Sequence, residues 1–206
     1  MGKYKYRHEL KFKISNSAAE ILKQKLSLIL GKDKNAFYKD GSYLIKSLYF
    51  DDIESNSYYE KMDGVLYRKK YRIRMYNNDD SFIRLEKKMK HNNYTAKEQM
   101  LISKDIYSKI LDGRINEIDN AEGLLLEFLN EIRTKKLIPS IIVGYHRTAF
   151  TYPISEVRIT FDSLISSGRY NYDLFDKNPM YQDIISNKVI LEVKYNEKLI
   201  DLNISL

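Results

Sequence analysis

The chain reads YRKKYRIRMY at positions 67–76, NNDD at 77–80 and SFIRLEKKMKH at 81–91. Side chains along a β-strand point alternately to two faces. In the first run Arg68, Lys70, Arg72 and Arg74 therefore share a face, and in the second Arg84, Glu86, Lys88 and Lys90 do the same. The stretch from Asn77 to Asp80 has the composition of a turn. Together the three segments predict a hairpin whose two charged rows lie side by side. Like charges on neighbouring strands repel, so these rows require an anionic partner, either outside the sheet or inside a curved one.

Working outward, the same alternation recurs. From Lys3 to Ile14 the charged residues Lys3, Lys5, Arg7, Glu9, Lys11 and Lys13 fall on one face, and Tyr4, Tyr6, His8, Leu10, Phe12 and Ile14 on the other. A helix follows, with Ser17 and Glu20 spaced as a capping box and Ile21, Leu22, Leu26 and Ile29 as its apolar stripe up to Gly31. Further strands are expected at 42–52, 95–102, 139–152, 156–162 and 188–195. A short helix ends at Gly64, another runs from Ser103 to Gly113, and a third from Ala121 to Thr134. A polar loop spans Ser163 to Asn187. Residues 1–206 contain no repeat, low-complexity tract or linker, and read as a single domain.

The expected fold is α+β and mainly β: about eight antiparallel strands with a few helices packed outside. Antiparallel sheets of this size lose their edges most completely by closing into a barrel, which is the expectation here. In that barrel the charged rows point inward and the helices cover the apolar faces. Such an interior is costly unless its charges are mixed and matched to a ligand. Mixing is visible, since Glu9 lies between Arg7 and Lys11, Glu86 between Arg84 and Lys88, and Glu192 beside Lys194.

The formal net charge of +7 favours nucleic acid, polyphosphate or an anionic surface as partner. There is no cysteine, which excludes disulfides and thiolate chemistry. The three histidines, His8, His91 and His146, are too scattered for a metal motif, and parity puts His8 and His146 opposite the charged faces. Eighteen tyrosines and no tryptophan suit strands and barrel walls. MGKYKYRHEL lacks the apolar core of a secretion signal, and no apolar run is long enough to span a bilayer. The expectation is a cytoplasmic protein without its own membrane anchor, any membrane role coming through partner proteins. No pattern for an RNA- or zinc-based nucleic-acid reader is present, so nucleic acid is not expected as the ligand.

YRHELKFKI, SLYFDD, YRKKYRIRMY, LEKKMK, GYHRTAF, VRITFD and LEVKY occur in an order that resembles the VTC domain, the polyphosphate polymerase branch of the CYTH-like triphosphate tunnel metalloenzymes. The resemblance runs from Tyr4 to Tyr195. It implies an eight-stranded tunnel that takes a nucleoside triphosphate and polyphosphate, with Mn²⁺ or Mg²⁺ as cofactor. Its implied phosphate-binding set is Lys11, Arg72, Arg74, Lys88, Lys97, Tyr145, Arg147, Arg158 and Lys194. The residues it assigns to the reaction itself are Arg72, Arg74, Lys88, Arg147, Arg158 and Glu192. Glu192 is the implied metal ligand, with Glu9 or Glu86 as its companion. Relatives that hydrolyse triphosphates open with an ExExK pattern, and here Arg7 replaces its first carboxylate. Polymerase members continue into a C-terminal Ser-Lys-Tyr-like segment, which the ending NEKLIDLNISL does not match.

The expected reaction is metal-dependent transfer of the terminal phosphate of ATP to a growing polyphosphate chain. Arginine suits that role because its planar fork binds phosphate oxygens in pairs. Two other readings stand beside it: hydrolysis of inorganic or organic triphosphates, and a polyphosphate-binding module without turnover. Taken singly, Glu9 and Glu86 also read as counter-charges for their neighbours. Arg68, Lys70 and Lys90 are expected near the mouths. Asp51 and Asp52 read as a helix cap or turn, and Asp162 as a residue in line with Arg158.

Overall fold

The 67–91 stretch forms the expected hairpin, with β4 (Tyr67–Tyr76) and β5 (Ile83–His91) antiparallel, Arg72 opposite Glu86 and Arg74 opposite Arg84. Asn77 and Asn78 turn the chain in the left-handed conformation that asparagine tolerates. The computed structural model describes residues 7–32, 37–92, 94–152, 157–168, 171–176 and 179–195. The predicted strand residues Lys3 to Tyr6 and the NEKLIDLNISL ending lie outside this set.

The other strands are β1 (His8–Ser15), β2 (Gly31–Lys32), β3 (Ser42–Asp51), β6 (Tyr94–Ile102), β7 (Ile138–Tyr152), β8 (Val157–Gly168), β9 (Gln182–Asp183) and β10 (Lys188–Tyr195). The helices are α1 (Asn16–Ile29), α2 (Asn56–Met62), α3 (Lys104–Leu111) and α4 (Gly123–Lys135), with a 3₁₀ turn at Ile115–Glu117. Eight strands form one antiparallel path in the order β1-β10-β8-β7-β3-β4-β5-β6, while β2 pairs with β7 and β9 with β8.

The expected closed barrel needs correction. Among the described residues the two edges of the path are hydrogen-bonded through one residue pair and form no closed barrel. Arg7 N donates to Thr95 O and Thr95 N to Arg7 O, both at 3.1 Å. Antiparallel register then carries β1 past the start of β6 after His8, because β6 begins at Tyr94 just beyond the turn at Asn92. Among the described residues no closing ladder follows, and on the outer face of β1 Leu10 and Phe12 remain about half exposed.

Helices cover much of the rest of the outer face. Tyr71, Ile73 and Met75 of β4 and Ile83 and Leu85 of β5 belong to one buried cluster with Tyr107 and Ile110 of α3 and Leu124, Leu125, Phe128 and Leu129 of α4. Burial of each such side chain contributes about 1.5–3 kcal/mol. Around the sheet, Ala19, Leu22 and Leu26 of α1 pack with Phe150, Phe161 and Val189. The rows opposite these apolar faces are thereby turned to the concave side.

Two local readings change. The cap of α1 is Ser15, whose Oγ accepts the Ala18 N–H at 3.1 Å, and the Ser17–Glu20 box is not used. Ser15 still has the extended backbone of β1, which is the conformation a cap requires. The polar LISSG at 164–168 is strand, paired with β7 beyond a bulge between Gly144 and His146. Other punctuation is as read: Ser103 Oγ caps α3 through Ile106 N, and Gly64 and Gly113 follow α2 and α3 in the left-handed region. Asp51 Oδ1 accepts Ser57 N and Asp52 Oδ1 accepts Asn56 N, so this acidic pair holds the start of α2.

Candidate functional site

The concave side encloses a cavity of about 1190 Å³. Period-two alternation brings Arg72 and Arg74 into it from β4, Arg84 and Lys88 from β5, Lys97 from β6, Arg147 and Tyr145 from β7, and Arg158 from β8. Lys194 and Glu192 enter from β10, and Glu9 and Lys11 from β1. All nine residues of the phosphate-binding set thus line one space. With Arg7, Lys61 and Arg84 added, eleven Lys and Arg side chains line the cavity against four carboxylates, those of Glu9, Asp79, Asp162 and Glu192. The interior therefore carries a large positive excess, the condition for holding a polyanion.

Glu86 is the exception among the predicted site residues. It is fully buried and does not line the cavity. Its carboxylate accepts from Arg72 Nε at 2.7 Å and Lys97 Nζ at 3.0 Å, with Arg74 Nη1 at 3.8 Å. Burial disfavours its charge, yet Arg74, Arg72 and Lys97 hold the carboxyl well below the usual range. Sealed inside the wall and away from the cavity, Glu86 is placed as a counter-charge to these three cations and out of reach of a cavity-bound metal.

Hydroxyls complete the arginine supports. Arg72 Nη1 donates to Tyr49 Oη at 2.9 Å, Arg74 Nε to Ser47 Oγ at 3.0 Å, and Arg74 Nη2 to Tyr145 Oη at 3.0 Å. Burial raises the Tyr49 phenol, but Arg72 and Arg74 outweigh it and bring it down to about 8. Arg147 makes a two-pronged pair with Asp162 at 2.6 and 2.7 Å, and Arg158 Nη2 donates to Tyr43 Oη at 2.9 Å. Tyr43, Ser47 and Tyr49 were not singled out by sequence reasoning. They share a face of β3 with Ile45, and this row of tyrosine, isoleucine and serine carries no basic signal.

Across the cavity, Glu9 pairs with Lys88 at 2.5 Å and lies 3.9 Å from Lys194. Glu192 pairs with Lys194 at 2.9 Å, Lys11 at 3.3 Å and Arg147 at 3.8 Å. Burial pushes the Lys194 ammonium down to about 7 despite Glu192 and Glu9. Burial likewise raises the Glu192 carboxyl, but Lys194, Lys11 and Arg147 more than reverse it and hold it well below its ordinary value. Among the described residues no three acidic or histidine side chains are grouped to hold a metal unaided. Glu9 and Glu192, unlike Glu86, border the cavity, where a divalent cation could take one or two carboxylates and complete its shell with phosphate oxygens and water.

The remaining expectations fall outside the cavity. Arg68, Lys70 and Lys90 do not line it, and Lys61 of α2 does. Arg68 is turned to the carbonyls of Glu60 and Val65. His8 lies between the Tyr94 and Tyr195 rings, His91 beside Tyr67 and His146 beside Tyr38.

A curved antiparallel sheet with helices outside and a cationic, carboxylate-bearing cavity inside defines the class: α+β proteins built around a charged concave site. Within it, the VTC domain profile matches residues 6–204, and the chain belongs to the VTC domain family. Comparison with curated proteins gives no sequence match. Among solved structures, a candidate adenylate cyclase from Bacillus halodurans superposes with a TM-score of 0.58 at 13% identity, over 94% of this chain and 82% of that one. The PH1012 protein of Pyrococcus horikoshii OT3 gives 0.48 at 11% identity, over 94% and 80%. The first of these is likeness of fold. Among the described residues no helix is long and apolar enough to cross a membrane.

Proposed function

We propose that this chain is a phosphotransferase that moves the terminal phosphate of ATP onto a growing polyphosphate chain inside the cavity, which acts as a tunnel. One observation carries the reading: Lys11, Arg72, Arg74, Lys88, Lys97, Arg147, Arg158 and Lys194, drawn from seven strands, line a single space beside Glu9 and Glu192. VTC family membership agrees with it.

Phosphoryl transfer asks the protein mainly for alignment and for stabilisation of charge. Glu86, Tyr49, Ser47 and Tyr145 fix the Arg72 and Arg74 guanidinium groups before any ligand arrives. The pair then binds the transferring phosphate without reorganising. Arg147, oriented by Asp162, and Arg158, oriented by Tyr43, hold neighbouring phosphates. Lys88, Lys97 and Lys11 neutralise the chain. The nucleophile is the terminal oxygen of the acceptor chain; it bonds to the γ-phosphorus as the bond to the β-phosphate oxygen breaks, and ADP leaves. Glu192 and Glu9 would hold a divalent cation, Mn²⁺ or Mg²⁺, which when bound neutralises phosphate oxygens and assists the leaving group.

The assay is chain growth from ATP and a short polyphosphate primer with Mn²⁺ or Mg²⁺. Growth is expected in the wild type, with a loss of about 10²-fold or more in Arg74→Met and Glu192→Ala. Release of free phosphate without growth would establish a triphosphatase instead. Binding without turnover would establish a polyphosphate-binding module.

A further inference from the structure

The helix α2 is held differently from the others. It joins the end of β3 to the start of β4, at the end of the sheet where Tyr67, His91 and Tyr94 pair across three strands. The helices α1, α3 and α4 each bury apolar side chains, and α2 buries none. Across 53–67 no residue is buried, and Ile53, Tyr58, Tyr59, Met62 and Leu66 are each more than half exposed. Its attachments are polar and sit at its flanks. Asp51 Oδ1 accepts Ser57 N and Asp52 Oδ1 accepts Asn56 N, both at 2.9 Å. Arg68 Nη1 donates to Val65 O at 3.2 Å and Glu60 O at 3.4 Å. Ser55 before the helix and Gly64 after it both take the left-handed conformation, with φ of 59° and 71°. A segment with so little buried apolar contact opens locally at low free energy.

Even so, α2 contributes Lys61 to the cavity lining, the one helical side chain there among the described residues. Lys61 is placed among cations. Burial, with Lys61 and Arg68 adding to it, pushes the nearby Lys70 ammonium down against the pull of Asp51. Asp51 does little to offset this repulsion, because its Oδ1 is committed to backbone N–H groups of Asp52 and Ser57. Like charges therefore oppose the inward position of Lys61 in the free chain. A polyanion in the cavity reverses the sign, since it attracts Lys61 while neutralising Lys70 and Arg7. A ligand shifts a two-state element by the difference in its affinity for the two states, and Lys61 supplies that difference.

We propose that α2 is a lid over this end of the cavity, hinged at Ser55 and Gly64, and that Lys61 is its latch on a bound polyphosphate chain. Hinges of this kind are a few loop positions that absorb the backbone change, and closure commits the ligand. The proposal rests on the polyphosphate reading above. It adds a ligand contact from outside the strands and a moving part that responds to that ligand.

The test is hydrogen exchange read by mass spectrometry on the intact chain, free and with saturating inorganic polyphosphate, whose binding is followed separately by calorimetry. In the free chain the amides of residues 59–62 are expected to exchange about 100-fold or more faster than those of residues 73–75 in β4. Bound polyphosphate should slow exchange in α2 by about 5-fold or more. Lys61→Met, at an exposed position, should still bind polyphosphate and lose most of that slowing. Exchange in α2 as slow as in β4, bound polyphosphate that leaves α2 unchanged, or equal slowing in Lys61→Met would overturn the lid. Loss of binding in Lys61→Met would make Lys61 part of the phosphate site proper and overturn its role as a latch. Absence of calorimetric binding to the wild type would overturn the polyphosphate reading itself, and the lid with it.

Discussion

Glu86 supports the cavity wall without lining the cavity. It sits under Arg72, Arg74 and Lys97 with no exposure, so their charges are compensated from within the wall. Breaking a buried ion pair from one side leaves an uncompensated charge, at a cost of about 3–5 kcal/mol. Glu86→Gln is therefore expected to lose stability of that size in a urea titration; a loss below about 1 kcal/mol would put the group among surface pairs. The pH dependence has a definite sign. The folded carboxyls of Glu86 and Glu192 lie below their ordinary 4.5. Between the folded and unfolded values the unfolded chain binds more protons, so their contribution is present above about pH 4.5 and is lost as pH falls further. Stability should drop steeply from about pH 5 to pH 3, and less steeply in Glu86→Gln, as measured by thermal midpoints across that range. The charge of Glu86 was legible in LEKKMK, and so was its place on the inward row. Its depth was not, because alternation gives the face of a side chain and not which neighbours close over it.

At the level of elements, strands were the legible part, since alternation over eight or ten residues leaves little choice of period. Errors fell where local polarity imitates a loop. LISSG extends β8 because it pairs with Ile142 to Gly144 of β7 and with β9, and the Tyr181 ring packs against Gly168. A Cβ on Gly168 would lie 2.7 Å from the Tyr181 ring, so the glycine makes room for this contact. Gly168→Ala should cost about 1–3 kcal/mol through overpacking, read as a lower thermal midpoint. Gly31→Ala, where nothing lies within 4 Å, should leave the midpoint nearly unchanged. Equal shifts in the two variants would refute the packing argument. The cap of α1 was misread for a related reason: Ser15 and Ser17 are equivalent in composition, and only the end of β1 decides which one has the extended backbone.

For the whole molecule, the arrangement is the reverse of a sheet with a solvated charged face. Its apolar rows pack under α1, α3 and α4, and its charged rows face each other across a cavity. A molecule with that much unopposed internal charge should be stabilised by its ligand. At about one hundred times its dissociation constant, tripolyphosphate should add about 2.7 kcal/mol, seen as a raised melting point in a thermal-shift assay. Added salt should shrink the gain, since screening acts on the same charges; no shift at any ligand concentration would refute the phosphate reading. The sequence by itself determined the strand periods, the charged rows and the ordered set of motifs, because each follows from local spacing along the chain. Only the tertiary structure decided that, among the described residues, the sheet edges are joined through Arg7 and Thr95, and that Glu86 is sealed beneath three cations. Those outcomes depend on register and packing between strands far apart in the chain, where spacing along the sequence carries no information.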